Sequence, residues 1–444
     1  MKKLNILIVG GGMYVSGRGS DNLGTILPAI YQLGNIKSNI TILNYSISGQ
    51  NKTKKQLKKF PKNSNISIHF NLIKNIDNIL LKFKFNCAII AVPDNLHYTY
   101  IKKIIQHKIH LITVKPFVTQ INHALELIEL QKKNNLICQV DFHKRNDEAN
   151  IILKNLYKKN EFGHLNYFTV EYSQPKFIPE QVFRKWSSCT NIFQYLGVHY
   201  VDLVYFITRA KPISVYAVGT NNYLTSKKIN TYDSISVLIQ WLSKDDKIFN
   251  SSFNVNWTDP NNTNAISDQS ISLFGTEKKY KSNQTNRGIS IYSEGGVKNI
   301  NPYFSTEYEA EDKIFFKGYG IETFMNFFLD VINFNKKINY HNYSERATFK
   351  EALLSVLVTE GVNNSLKNKN KVILEDFDLI ELREKSLIAN KNLKSGNKIN
   401  IKNFTSSYQN TGISLNTLRK IKKNNLIKNI SKGEILNFSH IFNL

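Results

Sequence analysis

Cysteine, proline and long apolar runs are all scarce in this chain, and each shortage closes off a class of protein. The three cysteines, Cys87, Cys138 and Cys189, lie far apart with no Cys-x-x-Cys or Cys/His ligand spacing. Neither a disulfide framework nor a zinc site is expected, no other metal is implied, and the thiols read as free. Nine prolines and 21 glycines in 444 residues are too few for a disordered or collagen-like chain. No stretch approaches the ~18 apolar residues of a membrane-spanning helix. The opening MKKLNILIVGGGMY has two lysines and a short apolar run from Leu4 to Val9 before its glycines, which makes a first strand rather than a signal peptide. A cytoplasmic protein with no membrane partner is expected.

Acidic residues are also few, 34 against 59 lysines and arginines, for a formal charge of +25. Clustered charge of that size would point to nucleic acid or an anionic membrane, because Lys and Arg release counterions on meeting phosphates. Here lysine is dispersed among asparagine and isoleucine, as in SLKNKNK and KIKKNNLIKNI. No basic patch forms, and no specific nucleic-acid partner is expected.

What the chain does have is a 41% hydrophobic fraction, ample for buried cores, and a length that divides into two or three domains of roughly 100 to 200 residues. The runs LNILIVGGG, ITILNYSI, CAIIAVP and HLITV are strand-like, at intervals that leave room for helices. Strands so continuously apolar are buried on both faces. The pattern predicts an α/β fold with a doubly wound parallel sheet over residues 1–120, of the kind that binds nucleotides at its strand C-termini.

Beyond residue 120 come the helix-like INHALELIELQKKN and NDEANIILKNLYKKN, with LICQVDFH between them. Long β-branched and aromatic strands follow, LNYFTVEYS, ISVYAVGT, SISVLIQWL and IFNSSFNVNW. A second α/β domain with an open, mostly antiparallel sheet is expected over 121–370, closed by the helix-like SERATFKEALLSVLVTEGVNNSLKN. A linker is expected over 371–384 and a small β-rich unit over 385–444.

The first strand delivers Gly10, Gly11 and Gly12, where missing Cβ atoms let backbone amides approach a pyrophosphate. Gly10 and Gly12 meet the first two positions of a Gly-x-Gly-x-x-Gly turn, but Val15 stands third, and SGRGSDNLG intervenes before the helix-like TILPAIYQL. On these residues alone, a glycine-rich turn without a ligand is the competing reading.

Taken in order and spacing, the glycine turn, AVPDNLHY at Ala91 to Tyr98, VKP at Val114 to Pro116 and GVHYVDL at Gly197 to Leu203 make the chain resemble the Gfo/Idh/MocA oxidoreductases over about residues 4 to 370. The resemblance implies a Rossmann domain joined to a domain for substrate binding and dimerisation, a nicotinamide cofactor, and a homo-oligomer. It implies cofactor contacts from Gly10, Gly11, Gly12, Met13, Asn44, Pro93, Asn95, His97 and Lys115.

Lys115 matches the lysine of the family's Glu-Lys-Pro motif, whose ammonium holds the substrate hydroxyl and stabilises developing alkoxide. Val114 replaces the glutamate. His199 matches the histidine beside the substrate, a neutral imidazole able to bond a sugar hydroxyl. Tyr195, four residues earlier, stands where many members place an aspartate. It resembles the branches that use tyrosine, a phenol that an adjacent ammonium would favour as phenolate; an aromatic core residue is the alternative. Arg145 and Asp202 are implied substrate contacts, with a structural salt bridge and a helix-surface acid as their respective alternatives. Asn44 ends the second strand without the acid that would exclude a 2′-phosphate, and Lys52, Lys54 and Lys55 follow it. NAD and NADP are both open, with the lack of an arginine at the expected place tilting the choice to NAD.

KSLIANKNLKSGNKI, NTGIS at Asn410 to Ser414 and LIKNISKGEIL at Leu426 to Leu436 resemble the SAF, or antifreeze-like, domain that ends sialic acid synthases. In the synthases an arginine before the Ser-Leu pair reaches a neighbouring subunit's sugar, and Lys385 stands there in this chain. Two loops are expected, turning at Gly396 and Gly433. The function this implies is NAD(P)-dependent hydride transfer to or from a sugar or sugar derivative, with an amino sugar or nonulosonic acid of surface glycans favoured by association. The competing class is a non-catalytic sugar or nucleotide-sugar binding protein that kept the fold.

Overall fold

The structure is a computed structural model that describes residues 3–19, 22–34, 36–311, 313–338, 345–377, 385–407, 412–421 and 425–442. It divides into two compact units, Met1–Leu374 and Glu375–Leu444.

The first unit begins with a six-stranded parallel sheet made of β1 (Lys3–Val9), β2 (Lys37–Asn44), β3 (Ile66–Leu72), β4 (Cys87–Ile90), β5 (His110–Val114) and β6 (Cys138–Asp141). Their spatial order is β3-β2-β1-β4-β5-β6. The order reverses between β1 and β4, which opens a crevice above the strand C-termini. Ile6, Ile8, Ile40, Ile42 and Ile89 are fully buried, each contributing about 1.5–3 kcal/mol of burial.

Helices cover both faces: α1 (Met13–Ser16), α2 (Ile26–Tyr31), α3 (Ile47–Leu57), α4 (Ile76–Lys82), α5 (His97–Gln106) and α6 (Ile121–Asn134). Ser46 caps α3 by accepting from the Gly49 amide, and Asn135, left-handed at φ 49°, ends α6.

Two features differ from the expected division. LICQVDFH supplies β6, so the first sheet extends to Asp141 instead of ending near residue 120. The strand ISIHFNL, missing from the expected set, is β3 at the sheet edge, where only partial burial is required.

The second sheet holds β7 (Leu165–Pro175), β8 (Lys211–Thr220), β9 (Ser234–Leu242), β10 (Ile248–Asp259), β11 (Asp268–Gly275), β12 (Lys279–Asn283) and, far along the chain, β17 (Val372–Ile373), in the order β12-β11-β7-β10-β9-β8-β17. Only β7 and β10 pair in parallel. The expected open, mostly antiparallel sheet is therefore present. Burial alternates cleanly along β9 and β10, as in a sheet with one covered face. Between β11 and β17 lie two small hairpins, β13 (Ser290–Ser293) with β14 (Gly296–Asn299), and β15 (Thr306–Ala310) with β16 (Lys313–Lys317).

The covering helices include α7 (Glu148–Lys158), α8 (Val198–Thr208), the one-turn α9 (Tyr223–Ser226), α10 (Tyr319–Asn335) and α11 (Phe349–Asn368). Phe324, Phe327, Phe328 and Val331 of α10 join the core of the first sheet with Ile6, Ile26 and Leu27, so that sheet is completed by residues some 200 positions past its last strand. β17 pairs with β8, which brings the first residues of the expected linker into the sheet. Its later part, 378–384, lies outside the described residues, as does Asn410.

The second unit pairs β18 (Ser386–Ala389) with β19 (Phe404–Ser407) and carries the short α12 (Leu415–Lys420). Leu387, Leu393, Phe404, Ile413, Ile430 and Leu436 form its core. Leu393 and Ile430 exchange backbone hydrogen bonds of 2.9 Å each way, and Gly396 and Gly433 turn with φ of 85° and 86°. The two similar sequence segments are thus two similar loops, paired with each other.

Candidate active site

The glycine turn that ends β1 lies at the crevice. Gly10 has φ 112°, and a Cβ there would stand 2.1 Å from the Ala91 carbonyl oxygen after β4. A Cβ on Gly12 would meet nothing within 4 Å, leaving open backbone for a ligand to approach. The helix after it, α1, is a single turn that ends at left-handed Gly17. Val15, in the third glycine position, is fully buried in the core. Met13 is half-buried.

Asn44, at the end of β2, is fully buried against Gly11 and accepts a 3.1 Å hydrogen bond from Thr53. The Thr53 hydroxyl also donates to the Gly11 carbonyl at 2.9 Å. The Asn44 side-chain nitrogen is a buried donor with no partner among the described residues, so its desolvation is uncompensated. Lys52, Lys54 and Lys55 are exposed along α3, Lys54 over the Phe70 ring. An arginine does reach this place: Arg18, from the segment after α1, donates to the Gly49 carbonyl at 3.1 Å beside the Ser46 cap. The sequence conceals it because Arg18 precedes β2 by nearly twenty residues.

After β4, Pro93 is half-buried and Asn95 exposed. His97 is fully buried, its ring nitrogens 2.6 Å from the Pro116 carbonyl and 2.9 Å from the Val92 carbonyl. It ties the loop after β4 to the loop after β5.

Lys115 follows β5 directly. Its ammonium lies 3.6 Å from the centroid of the Tyr195 ring and donates to the Tyr195 carbonyl oxygen. Burial lowers the amine to about 8, against the opposing pull of Asp94 and Asp141. These two carboxylates stand where Val114 offers none. Asp94 is 5% exposed and accepts from Thr190 at 2.6 Å and Gln194 at 2.9 Å. Both were visible in the sequence, Asp94 within AVPDNLHY and Asp141 as a charge within the strand-like LICQVDFH, a placement that is rare unless paired.

Tyr195 belongs to a π-helical turn, Phe193–Gly197, that leads into α8. Such turns often mark functional sites. Its ring sits among Phe183, Trp186 and Trp257. Burial, then the charges of neighbouring groups, pushes its phenol up, so the resting form is phenol and not phenolate. His199 is 3% exposed, and its Nδ1 has no partner among the described residues. Burial, and then its neighbours His143, Lys115 and Lys144, hold it well below the usual histidine range, which keeps the imidazole neutral.

Arg145 and Asp202 are turned toward each other. The guanidinium donates to both Asp202 oxygens at 2.8 and 2.6 Å and to Glu351, which also accepts from Arg209 at 2.6 Å. Both partners are nearly inaccessible. This buried network joins the loop after β6 to α8 and α11.

Several residues join this cluster that no sequence motif marks. Tyr14 of α1 donates to Asp141 at 2.6 Å, and its oxygen lies 3.3 Å from His143 Nδ1. Phe304 and Tyr319 lie beside the His143 ring. Lys144 is 2% exposed, donates to Gln269 at 2.6 Å and Gln284 at 2.9 Å, and is lowered by burial to about 7. Among the described residues no group of His, Cys, Asp or Glu is arranged to hold a metal, and no helix is long and apolar enough to cross a membrane.

The fold and site define a dinucleotide-binding domain with a lysine and a histidine gathered at its mouth by a second, sheet-bearing domain. Residues 46–142 match the model described as "Oxidoreductase family, NAD-binding Rossmann fold", and residues 152–281 match the "GFO/IDH/MocA C-terminal domain". The chain belongs to the Gfo/Idh/MocA family of oxidoreductases and carries its NAD-binding Rossmann fold.

Among curated relatives, the Bacillus subtilis protein named "Putative oxidoreductase YteT" is 25% identical over 151 residues, covering 33% of this chain and 35% of its own length. The Schizosaccharomyces pombe "Uncharacterized oxidoreductase C26H5.09c" is 25% identical over 29% of this chain and 35% of its own. The chain therefore spans about a third of the length of the curated relatives it matches. Solved structures share the fold more broadly. The Lactobacillus casei scyllo-inositol dehydrogenase with bound NAD(H) and scyllo-inositol aligns at a TM-score of 0.61 and 14% identity, over 84% of this chain and 99% of that one. The Lactobacillus plantarum myo-inositol 2-dehydrogenase aligns at 0.62 and 14%, over 84% and 100%.

Proposed function

We propose that this chain is an NAD(P)-dependent dehydrogenase or reductase that moves a hydride between the nicotinamide and a hydroxyl-bearing carbon of a polyol, sugar or sugar derivative. The observation that carries the reading is Lys115: a half-buried amine at the mouth of the crevice, lowered to about 8, beside Tyr195 and within the field of Asp94, Asp141 and His199. An ammonium there holds the substrate oxygen and stabilises developing alkoxide, worth several kcal/mol in a water-excluded site. The neutral His199, with its unpartnered buried nitrogen, binds a substrate hydroxyl. The Tyr195 phenol is a proton donor rather than a base, and Arg145 with Asp202 keeps β6 and α8 in register. Gly10 to Gly12, Met13, Asn44, Pro93 and Asn95 face the dinucleotide, and His97 positions their loops.

Inositols are the first probes, since the similar folds named above act on them. The second unit, with its resemblance to the SAF domain of sialic acid synthases and its paired glycine loops, supports amino sugars or nonulosonic acids of surface glycans as the next. Exposed Tyr216, Val218 and Leu238 on the open face of the second sheet support pairing of two copies there. The test is NAD+- and NADP+-dependent oxidation of scyllo-inositol, myo-inositol and N-acetylated amino sugars by the full chain. Turnover that disappears in Lys115→Ala supports the reading, and the absence of any nicotinamide binding refutes it.

A further inference from the structure

We propose that His143, oriented by Asp141 and Tyr14, is a second acid–base group of this site and takes the substrate hydroxyl proton. The inference rests on the dehydrogenase reading and adds a residue to it.

The geometry begins at the end of β6. Asp141 is 2% exposed, a carboxylate at the buried end of β6. One oxygen accepts from the Tyr14 hydroxyl at 2.6 Å. The other has no hydrogen-bond partner among the described residues and lies 3.5 Å from His143 Nδ1. The Tyr14 oxygen is 3.3 Å from the same nitrogen. Because Tyr14 gives its proton to Asp141, the acceptors around Nδ1 are the phenol oxygen and the second carboxylate oxygen, and both favour the tautomer with hydrogen on Nδ1. Its lone pair then resides on Nε2. No group among the described residues bonds that nitrogen, and it is not among the fully enclosed unpaired atoms.

The ring stands among the residues of the site. The His143 ring centroid lies 4.5 Å from that of His199 on α8, 5.0 Å from Phe304 and 5.7 Å from Tyr319 of α10. Tyr14 belongs to the turn that follows the dinucleotide-binding glycines, so the orienting hydroxyl and the cofactor share one short segment. A carboxylate, a histidine held by its Nδ1 and an open Nε2 form the base-and-orienter pair of general-base sites.

In the oxidative direction the balance is simple. The C–H bond of the carbinol breaks with its electron pair passing as hydride to the oxidised nicotinamide, the O–H proton passes to His143 Nε2, and a carbonyl forms. Asp141 and Tyr14 are positioning residues, and Lys115 holds the oxygen.

Two measurements test this on the full chain. The first is carbethoxylation by diethyl pyrocarbonate, mapped by peptide mass spectrometry. His143 is expected to react ahead of His97 and His199, and to be shielded at least about fivefold by saturating NADH. A His143 that does not react, or that NADH leaves unshielded, overturns the proposal, whether or not a turned-over polyol has been found. The second is turnover of NAD+ with scyllo-inositol. His143→Ala should lose about 10²–10⁴-fold in kcat, regain at least tenfold with added imidazole, and keep its NADH affinity. Asp141→Asn should lower kcat with KM unchanged and gain nothing from imidazole. His143→Gln, closer in shape and read by its loss of kcat alone with no rescue expected, replaces the alanine variant if that one fails to fold. Loss without imidazole rescue, or undiminished turnover, overturns the role of His143 alone. Failure of the wild type to bind NADH overturns the dehydrogenase reading itself.

Discussion

The Lys115 ammonium rests 3.6 Å from the centroid of the Tyr195 ring and donates to that residue's own carbonyl oxygen. The aromatic face and the carbonyl favour the charged amine, while burial opposes it and brings the group down to about 8. Below that value the ammonium is present, and as pH rises through it the charge is lost. Reduction of a ketone, which draws on the ammonium to stabilise alkoxide, should therefore fall above about pH 8. Oxidation of the corresponding alcohol, in which the same ammonium holds the oxygen while His143 takes the proton, should fall over the same interval. Steady-state kcat/KM in both directions between pH 6 and 10 checks the shared decline above about pH 8.

The glycine turn separates folding from binding. Gly10→Ala forces a side chain into a backbone at φ 112° with the Ala91 oxygen 2.1 Å away, and strain of this kind costs about 1–3 kcal/mol or more. A lowered Tm is expected. Gly12→Ala meets nothing within the fold, so its Tm should be unchanged while NADH affinity falls, measured by fluorescence titration.

Cofactor choice should pass through Arg18. Its guanidinium sits beside Ser46 and Gly49 at the turn after β2, where no carboxylate from Asn44 repels a 2′-phosphate. Arg18→Ala is expected to weaken NADPH about tenfold, roughly 1.4 kcal/mol, with NADH affected little. Parallel titrations with the two cofactors read the ratio, and equal losses for both would contradict the assignment.

The Arg145–Asp202 pair is a scaffold in this account. Asp202→Asn leaves a buried guanidinium partly uncompensated and should cost about 3–5 kcal/mol of stability, seen in urea unfolding. Arg145→Met with Asp202→Leu removes both charges and should cost less than the single change.

Much of this was legible in the sequence, for a physical reason. Strands such as CAIIAVP and HLITV are buried on both faces, so their apolar runs announce the parallel sheet, and Lys115 follows the last of them directly. The alternating β9 and β10 likewise announce a sheet with one open face. ISIHFNL escaped because an edge strand is only partly buried and its pattern is weak. The closure of the first sheet by α10 escaped because that packing partner lies some 200 residues away.

The site divides in the same way. Lys115, Tyr195 and His199 could be named from local motifs, since each motif keeps its residue at a strand end or helix start. Asp94, Asp141, Tyr14 and His143 were in plain view as letters, but their meeting depends on how three strand ends and α1 converge. The four-residue spacing of Tyr195 and His199 suggested an ordinary helical turn, whereas the chain there takes a π turn. The family resemblance implied Arg145 and Asp202 as substrate contacts, with a structural salt bridge as the alternative for Arg145, and the tertiary structure pairs the two with each other.

The proposed hydride transfer takes place at a site built on Lys115. Its most direct test is deuterium transfer from ring-deuterated scyllo-inositol, myo-inositol or an N-acetylated amino sugar to NAD+ or NADP+, followed by mass spectrometry of the reduced cofactor. The wild type is expected to give deuterated NADH or NADPH with at least one of these substrates, and Lys115→Ala to bind the cofactor normally yet transfer about 10²–10⁴-fold more slowly. A chain that binds neither cofactor, or a Lys115→Ala variant that transfers deuterium as fast as the wild type, would contradict it.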